Sequence, residues 1–453
     1  MKREIIQLFL EWKNRKNRKP LIVRGARQVG KTFIVHEFGK ECFGHELYVN
    51  LEESPELHKV FSTTDTAHIL TELSLFKGID IVQGKTLLFI DEIQACPSAI
   101  VSLRYFYEQI PDLHVIATGS LLDHTLNEMN LPMPVGRVEF CYLYPMSFKE
   151  FLWALSENRL VDYIDNYSLD QPFSDIVHRK LTDLLRYYFF IGGMPEAVKT
   201  FADERKLLEV EKVHSSITTS LQYDFAKYGT KSEQQYLLKV FQYVARNPGR
   251  KIKYVNIDRD VRSINLKTAF YRLGMSKVIT IVSHTASSGV PLTTHLNPDI
   301  FKAYFLDIGL AGYMGGINLI DPAHTMTINE GAIAEQFVCQ ELLVLTSFRE
   351  PSIFYWTREE KNSNAEIDFL YQQNNHIFPI EVKAGKTGTL KSMHIYLFER
   401  KLFTGVRFNL DIPSYGEFAA KVQAKNNRDD LNYRLLSLPL YMVSQLPRLL
   451  NHI

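Results

Sequence analysis

Residues 25–32 read Gly-Ala-Arg-Gln-Val-Gly-Lys-Thr, a G-x-x-x-x-G-K-T loop between an apolar stretch, Leu21-Ile22-Val23, and a helix-compatible run from Phe33 to Phe38. The context constrains the fold more than the pattern does. Phosphate cradling needs a strand that ends in a tight glycine loop and feeds a helix N-terminus. There the N–H groups of Ala26, Arg27, Gln28, Val29, Gly30 and Lys31 line an anion nest, and Gly25 and Gly30 allow the dihedrals it requires. Lys31 is placed to reach the β- and γ-phosphates, and the Thr32 hydroxyl to bind Mg²⁺. The loop thus predicts an α/β core that takes ATP with Mg²⁺.

A second segment completes the expected site. Thr86-Leu87-Leu88-Phe89-Ile90 runs into Asp91-Glu92. A strand apolar on both faces belongs in a parallel sheet covered on both sides, and ligands bind at the C-terminal ends of such strands. Asp91 would then hold Mg²⁺ through its water shell, and Glu92 would polarise the attacking water. A third strand, His114 to Gly119, ends at Ser120. Thr118 or Ser120 either orients that water or serves only to form a turn.

At 453 residues the chain is too long for one core, and roughly two to four domains are expected. A net charge of +1 argues neither for nor against a nucleic-acid partner, so only local patches count. Cys42, Cys96, Cys141 and Cys339 lack paired or zinc-like spacing and suit a reducing cytosol. There is no signal-like h-region and no apolar run of about eighteen residues, so the expected location is cytoplasmic, without a membrane span. Nothing in the sequence indicates an oligomer, and a homo-oligomer stays open.

Strand and helix patterns alternate up to Leu143, and the pattern is helical and aromatic-rich from Ser147 to about Tyr228. Gly192-Gly193-Met194-Pro195 interrupts it, with Pro195 suited to start the next helix. Gln235–Arg246, Val255–Val261 and Leu266–Met275 follow in winged-helix order, with Lys267, Arg272 and Lys277 near the last and Arg246, Arg250, Lys251 and Lys253 before it. DNA contact and a lid or protein-contact role are both open to such a module. Lys13 to Lys19 carries five bases in seven residues, read as a solvated linker. The predicted division is a core over 1–146, a helical lid over 147–230, a winged-helix-like module over 231–310 and a C-terminal α/β domain over 311–453.

In that last domain Asp368, Glu381 and Lys383 have the D…E-x-K spacing of a restriction-endonuclease-like core. Alternation puts Glu381 and Lys383 on one strand face, and Asp368 joins them if its strand is adjacent. Two carboxylates and an ammonium would then converge. Asp368 and Glu381 would bind Mg²⁺ or Mn²⁺, and Lys383 would orient water or stabilise developing charge; Glu335, on a helix, supplies a further acid. The two functions that follow are an ATPase driving a nuclease on DNA or RNA, and a nucleotide-dependent switch that binds nucleic acid or a partner protein without cleavage.

With these motifs the chain resembles prokaryotic AAA+-like ATPases that carry a C-terminal domain of unknown function with a nuclease-like fold. The marks are Arg24 to Thr32, Phe89-Ile90-Asp91-Glu92-Ile93-Gln94, Thr118-Gly119-Ser120, Gly136-Arg137, Pro145-Met146-Ser147-Phe148, Gly192 to Glu196, Phe305 to Leu310, Ala365 to Phe369 and Ile380 to Lys383. The resemblance implies a Walker B role for Asp91-Glu92 and nucleotide contact by Ser120. It also implies that Arg137 either stabilises γ-phosphate charge, in cis or from a neighbouring subunit, or forms a salt bridge to Glu139 or another acid.

Overall fold

The computed structural model describes every residue except 120–133, 135, 228, 317–329, 359–364, 384–388 and 425–426. Two compact units result: Met1–Tyr144 with Tyr271–Val278 and Thr346–Pro351, and the remainder.

In the first unit five strands form a wholly parallel sheet: β1 Leu21–Arg24, β2 His45–Asn50, β3 Thr86–Asp91, β4 His114–Gly119 and β5 Glu139–Tyr142. Their order is β2-β3-β4-β1-β5, with Leu21 beside Ile116 and Leu88 beside Val115. Every residue of β3 and β4 is buried, as apolar runs between helical layers require. The unit is completed by distant chain: the Tyr142 N–H donates to the Ser347 carbonyl (2.7 Å), and the Lys277 ammonium lies 5.5 Å from the Tyr142 ring centre. The basic N-terminal stretch is tied down, since Arg15 pairs with Glu139 (2.6 Å) and Arg18 donates to the Asp112 carbonyl.

The second unit begins with helices. Ser147 and Glu150 form a capping box that starts Phe148–Ala154. Helices Asn158–Asp165, Asp175–Ile191, Pro195–Glu204 and Leu207–Asp224 follow. Buried Asp307 explains two sequence marks at once. It accepts from the Gly193 N–H (2.6 Å) and the Leu310 N–H (3.0 Å), so it caps helix Ile308–Met314 and joins it to the break at 192–194. A Cβ on Gly192 would stand 2.1 Å from Asp307 Oδ1, at a φ of 71° that only glycine adopts easily.

An eight-stranded mixed sheet carries the rest: β6 Ile279–Thr285, β7 Leu296–Phe305, β8 Ile353–Thr357, β9 Glu366–Gln373, β10 His376–Val382, β11 Thr404–Asn409, β12 Ser414–Ala424 and β13 Asn427–Pro439. Its order is β12-β13-β11-β10-β9-β8-β6-β7. The predicted division at residue 310 therefore cuts a continuous sheet, because β6 pairs in parallel with β8 across it. Helices Lys231–Arg246 and Ser263–Met275 form where a winged helix was expected, but the helix expected at Val255–Val261 is a 3₁₀ turn at Tyr254–Asn256. Among the described residues no helix is long and apolar enough to cross a membrane.

Candidate nucleotide site and C-terminal charge cluster

At the end of β1 the chain turns sharply. Gly25 has φ 156°, and a Cβ there would stand 2.2 Å from the Leu143 carbonyl oxygen, so this position admits glycine alone. Gln28 (φ 64°) and Gly30 (φ 92°) take left-handed conformations before helix Lys31–Cys42 opens. Successive turns of this kind aim main-chain N–H groups inward, and the helix N-terminus adds its partial positive charge. Ala26 and Val29 are buried behind the loop. The Lys31 ammonium donates to the carbonyls of Gly25 (3.1 Å) and Ala26 (2.8 Å). Burial lowers its pKa to about 8, against the opposing pull of Glu92 and Asp91.

Asp91, at the end of β3, is buried and surrounded by donors. It accepts from the hydroxyls of Thr32 (2.8 Å), Tyr48 (3.3 Å) and Thr118, and from the Glu92 N–H (3.0 Å). Glu92 itself sits in a left-handed conformation (φ 47°, ψ 47°), which turns its carboxylate out of the β3 line, and Gln94 donates to it. The structure thus brings Lys31, Thr32, Asp91, Glu92 and Thr118 together. Ser120 lies outside the described residues. Arg137 pairs with Glu108 (2.8 Å), not with Glu139, which Arg15 holds. Hard oxygens from Thr32 and Asp91, side by side at a phosphate loop, fit Mg²⁺, which keeps several waters and takes few protein ligands.

In the second unit the β9–β10 register pairs Phe369 with Ile380, which brings Asp368 and Glu381 to the next positions on adjacent strands. The Val382 N–H donates to Asp368 Oδ2 (2.8 Å), and Lys383 pairs with Glu381 (2.7 Å). Glu335, on helix Glu330–Val344, accepts from the Tyr304 hydroxyl (2.9 Å). Burial, then Asp368's charge, pushes Glu335 and Glu381 upward; burial also raises Asp368. So the four predicted residues do converge.

Three others, absent from the motif, stand among them. Lys302 on β7 lies 2.6 Å from Glu366, 3.5 Å from Glu335 and 4.0 Å from Asp368, and is 2% exposed. Burial alone would lower its pKa, but Glu335, Asp368 and Glu366 outweigh that and raise it. Lys251 takes the other Glu366 oxygen (2.8 Å). Two strands separate β7 from β9 in the sheet order, yet Lys302 reaches Glu366 across them. A sequence signal for Lys302 did exist: it is one cation within the apolar run Ile300-Phe301-Lys302-Ala303-Tyr304-Phe305. Among the described residues no three His, Cys, Asp or Glu side chains have a metal-holding arrangement. Asp368 and Glu381, expected as metal ligands, are bound instead to the Val382 N–H and to Lys383, so the cluster does not fit a divalent ion as it stands.

The parallel sheet, the glycine loop and the carboxylates at the end of β3 define a P-loop nucleotide-binding core. Residues 17–152 match the family described as AAA domain, which supports a P-loop ATPase core. Residues 182–321 and 330–410 match two domains of unknown function, DUF8612 and DUF4143. A comparison with curated proteins finds no match. Among solved structures, a Walker-type ATPase of Pyrococcus abyssi, PABY2304, is similar at 15% identity and TM-score 0.44, covering 69% of this chain and 95% of its own. The ORC2 protein of Aeropyrum pernix, in ADPNP and ADP complexes, is similar at 13% identity and TM-score 0.34, covering 69% of this chain and 90% of its own. A RuvB variant of Thermotoga maritima follows at 15% and 0.28, covering 61% and 86%. Likeness at this level carries no inference.

Proposed function

We propose that the chain is a Mg²⁺-dependent ATPase whose nucleotide state governs a C-terminal unit that binds nucleic acid or a protein partner without cutting it. The observation that carries the ATPase reading is the convergence of Lys31, Thr32, Asp91 and Glu92 at the end of parallel strands. Thr32 and Asp91 would hold Mg²⁺, which when bound neutralises charge on the β- and γ-phosphate oxygens. The loop N–H groups cradle the phosphates, and Lys31 supplies a cation beside them. Glu92 takes the proton of the water that attacks the γ-phosphorus as the bond to the β–γ bridging oxygen breaks and ADP leaves.

The non-cleaving reading of the second unit is supported by Lys302, whose ammonium fills the space among the acids that phosphodiester chemistry with a metal would need. One experiment addresses both parts: ATP hydrolysis with and without DNA and RNA, with the strands run on a gel afterwards. Mg²⁺-dependent turnover that Lys31→Ala abolishes, together with intact strands, is the expected result. Absence of turnover overturns the first part, and cut strands that Asp368→Ala protects overturn the second.

A further inference from the structure

We propose that Lys302 is the resident cation of the C-terminal cluster, and that this cluster takes up a divalent ion only when the charge at residue 302 is removed. The inference deepens the non-cleaving reading and rests on the same cluster.

The count of charges comes first. Glu335, Glu366, Asp368 and Glu381 face Lys251, Lys302 and Lys383, so four carboxylates meet three ammoniums. A set this close to neutral attracts a dication far less than four bare acids would. Each acid also has a protein partner. Both Glu366 oxygens are held, by Lys302 and Lys251. Glu335 Oε2 takes the Tyr304 hydroxyl, Asp368 Oδ2 the Val382 N–H, and Glu381 Oε2 Lys383.

Lys302 cannot step aside for a metal. Its strand neighbours Phe301, Ala303, Tyr304 and Phe305 are buried, as is the lysine itself. A buried ammonium that lost three carboxylates would find no comparable partner, and unpaired charge inside a protein is strongly disfavoured. A dication entering beside it would meet direct repulsion in a poorly screened setting. With an uncharged side chain at 302, the same acids keep their positions on β9, β10 and helix Glu330–Val344 and present uncompensated hard oxygens, which is the donor set that Mg²⁺ or Mn²⁺ prefers.

The test uses the full chain without nucleotide, titrated with Mn²⁺ and read by electron paramagnetic resonance and calorimetry. Lys302→Met keeps the length of the side chain and removes its charge. It is expected to bind one Mn²⁺ at least about tenfold more tightly than any wild-type site, and to gain thermal stability on Mn²⁺ addition that wild type does not gain. Asp368→Asn in that background should abolish both effects. Wild-type Mn²⁺ binding that Asp368→Asn removes would overturn the proposal, and this comparison decides even if Lys302→Met fails to fold. A folded Lys302→Met protein, checked by circular dichroism, that gains no site would overturn it as well. Strand cleavage is scored separately on gels, so metal uptake without cutting and cutting without metal uptake are told apart.

Discussion

Asp91 in the first unit and Asp368 in the second are both buried carboxylates at strand positions, yet their charges are met differently. Around Asp91 stand neutral donors: Thr32, Thr118, Tyr48 and the Glu92 N–H. The nearby cation, Lys31, is hydrogen-bonded to main-chain carbonyls. Around Asp368 stand other ions, with Lys302 and Lys383 balancing Glu335, Glu366 and Glu381. A carboxylate held by neutral donors keeps its charge uncompensated and remains able to receive a metal with its phosphate ligand. A carboxylate held by ammoniums has little attraction left for either. The contrast predicts that the first site loses chemistry when altered and the second loses stability.

The largest expected effect is on turnover. Glu92→Gln should retain ATP binding and slow hydrolysis on the order of 10²- to 10⁴-fold, since the amide keeps the shape and cannot accept the proton. Equal rates in single-turnover assays would remove Glu92 from the chemistry. Next in size is the removal of Lys302. Lys302→Ala leaves buried acids uncompensated and should cost the second unit about 3–5 kcal/mol in denaturant unfolding. Lys31→Ala, which breaks no ion pair to a carboxylate, should lose nucleotide binding with a much smaller change in stability, and comparable destabilisation by the two would erase the contrast.

Acidity sharpens the comparison. Burial raises the Asp307 carboxyl to about 6, against the N–H bonds from Gly193, Leu310 and Gly309 that favour its charge. A group raised in the folded state contributes stability that is complete below its unfolded pKa and is lost as pH climbs through the folded value. Between about pH 4 and pH 7, wild type should therefore lose about 2 kcal/mol more than Asp307→Asn, followed by hydrogen exchange in the second unit. In the first unit the sign of the ligand effect is set by Lys31. With its pKa lowered to about 8 and an anion expected to raise it, nucleotide binding should take up protons and weaken as pH rises above 8. Calorimetry in buffers of different ionisation enthalpy measures that uptake, and none at pH 8 would contradict it. The smallest effect belongs to Arg137→Ala, which removes an exposed pair with Glu108 and should leave turnover and melting temperature unchanged. A fall in turnover relative to wild type that vanishes on dilution, as wild type itself slows, would instead assign Arg137 to a neighbouring subunit's phosphate.

The N-terminal site was legible because its parts are contiguous: the loop that makes the nest and the strand that carries Asp91-Glu92 each announce themselves in a few residues. What escaped were the partners of Asp91 and Arg137. Tyr48 comes from another strand with no motif around it. Glu108 takes Arg137 because Arg15, from the N-terminal basic stretch, already holds Glu139. In the C-terminal unit the D…E-x-K spacing located Asp368, Glu381 and Lys383, while Lys302 was not singled out, Lys251 was assigned to the winged-helix-like module, and Glu366 was given no role in the cluster. Lys302 reaches the cluster across two intervening strands, and no local pattern encodes which distant strands meet.

The first unit's discontinuity reaches beyond its final shape. Its β5 edge is bound by Ser347, and the segments 271–278 and 346–351 belong to it. A ribosome must therefore have added residue 351 before the ATPase core possesses all of its parts. By then most of the second unit's first helices have long been outside. The first unit, begun first, is thus completed only after much of the second has been made, and nucleotide binding by nascent chains should appear only once residue 351 has emerged and not at residue 146.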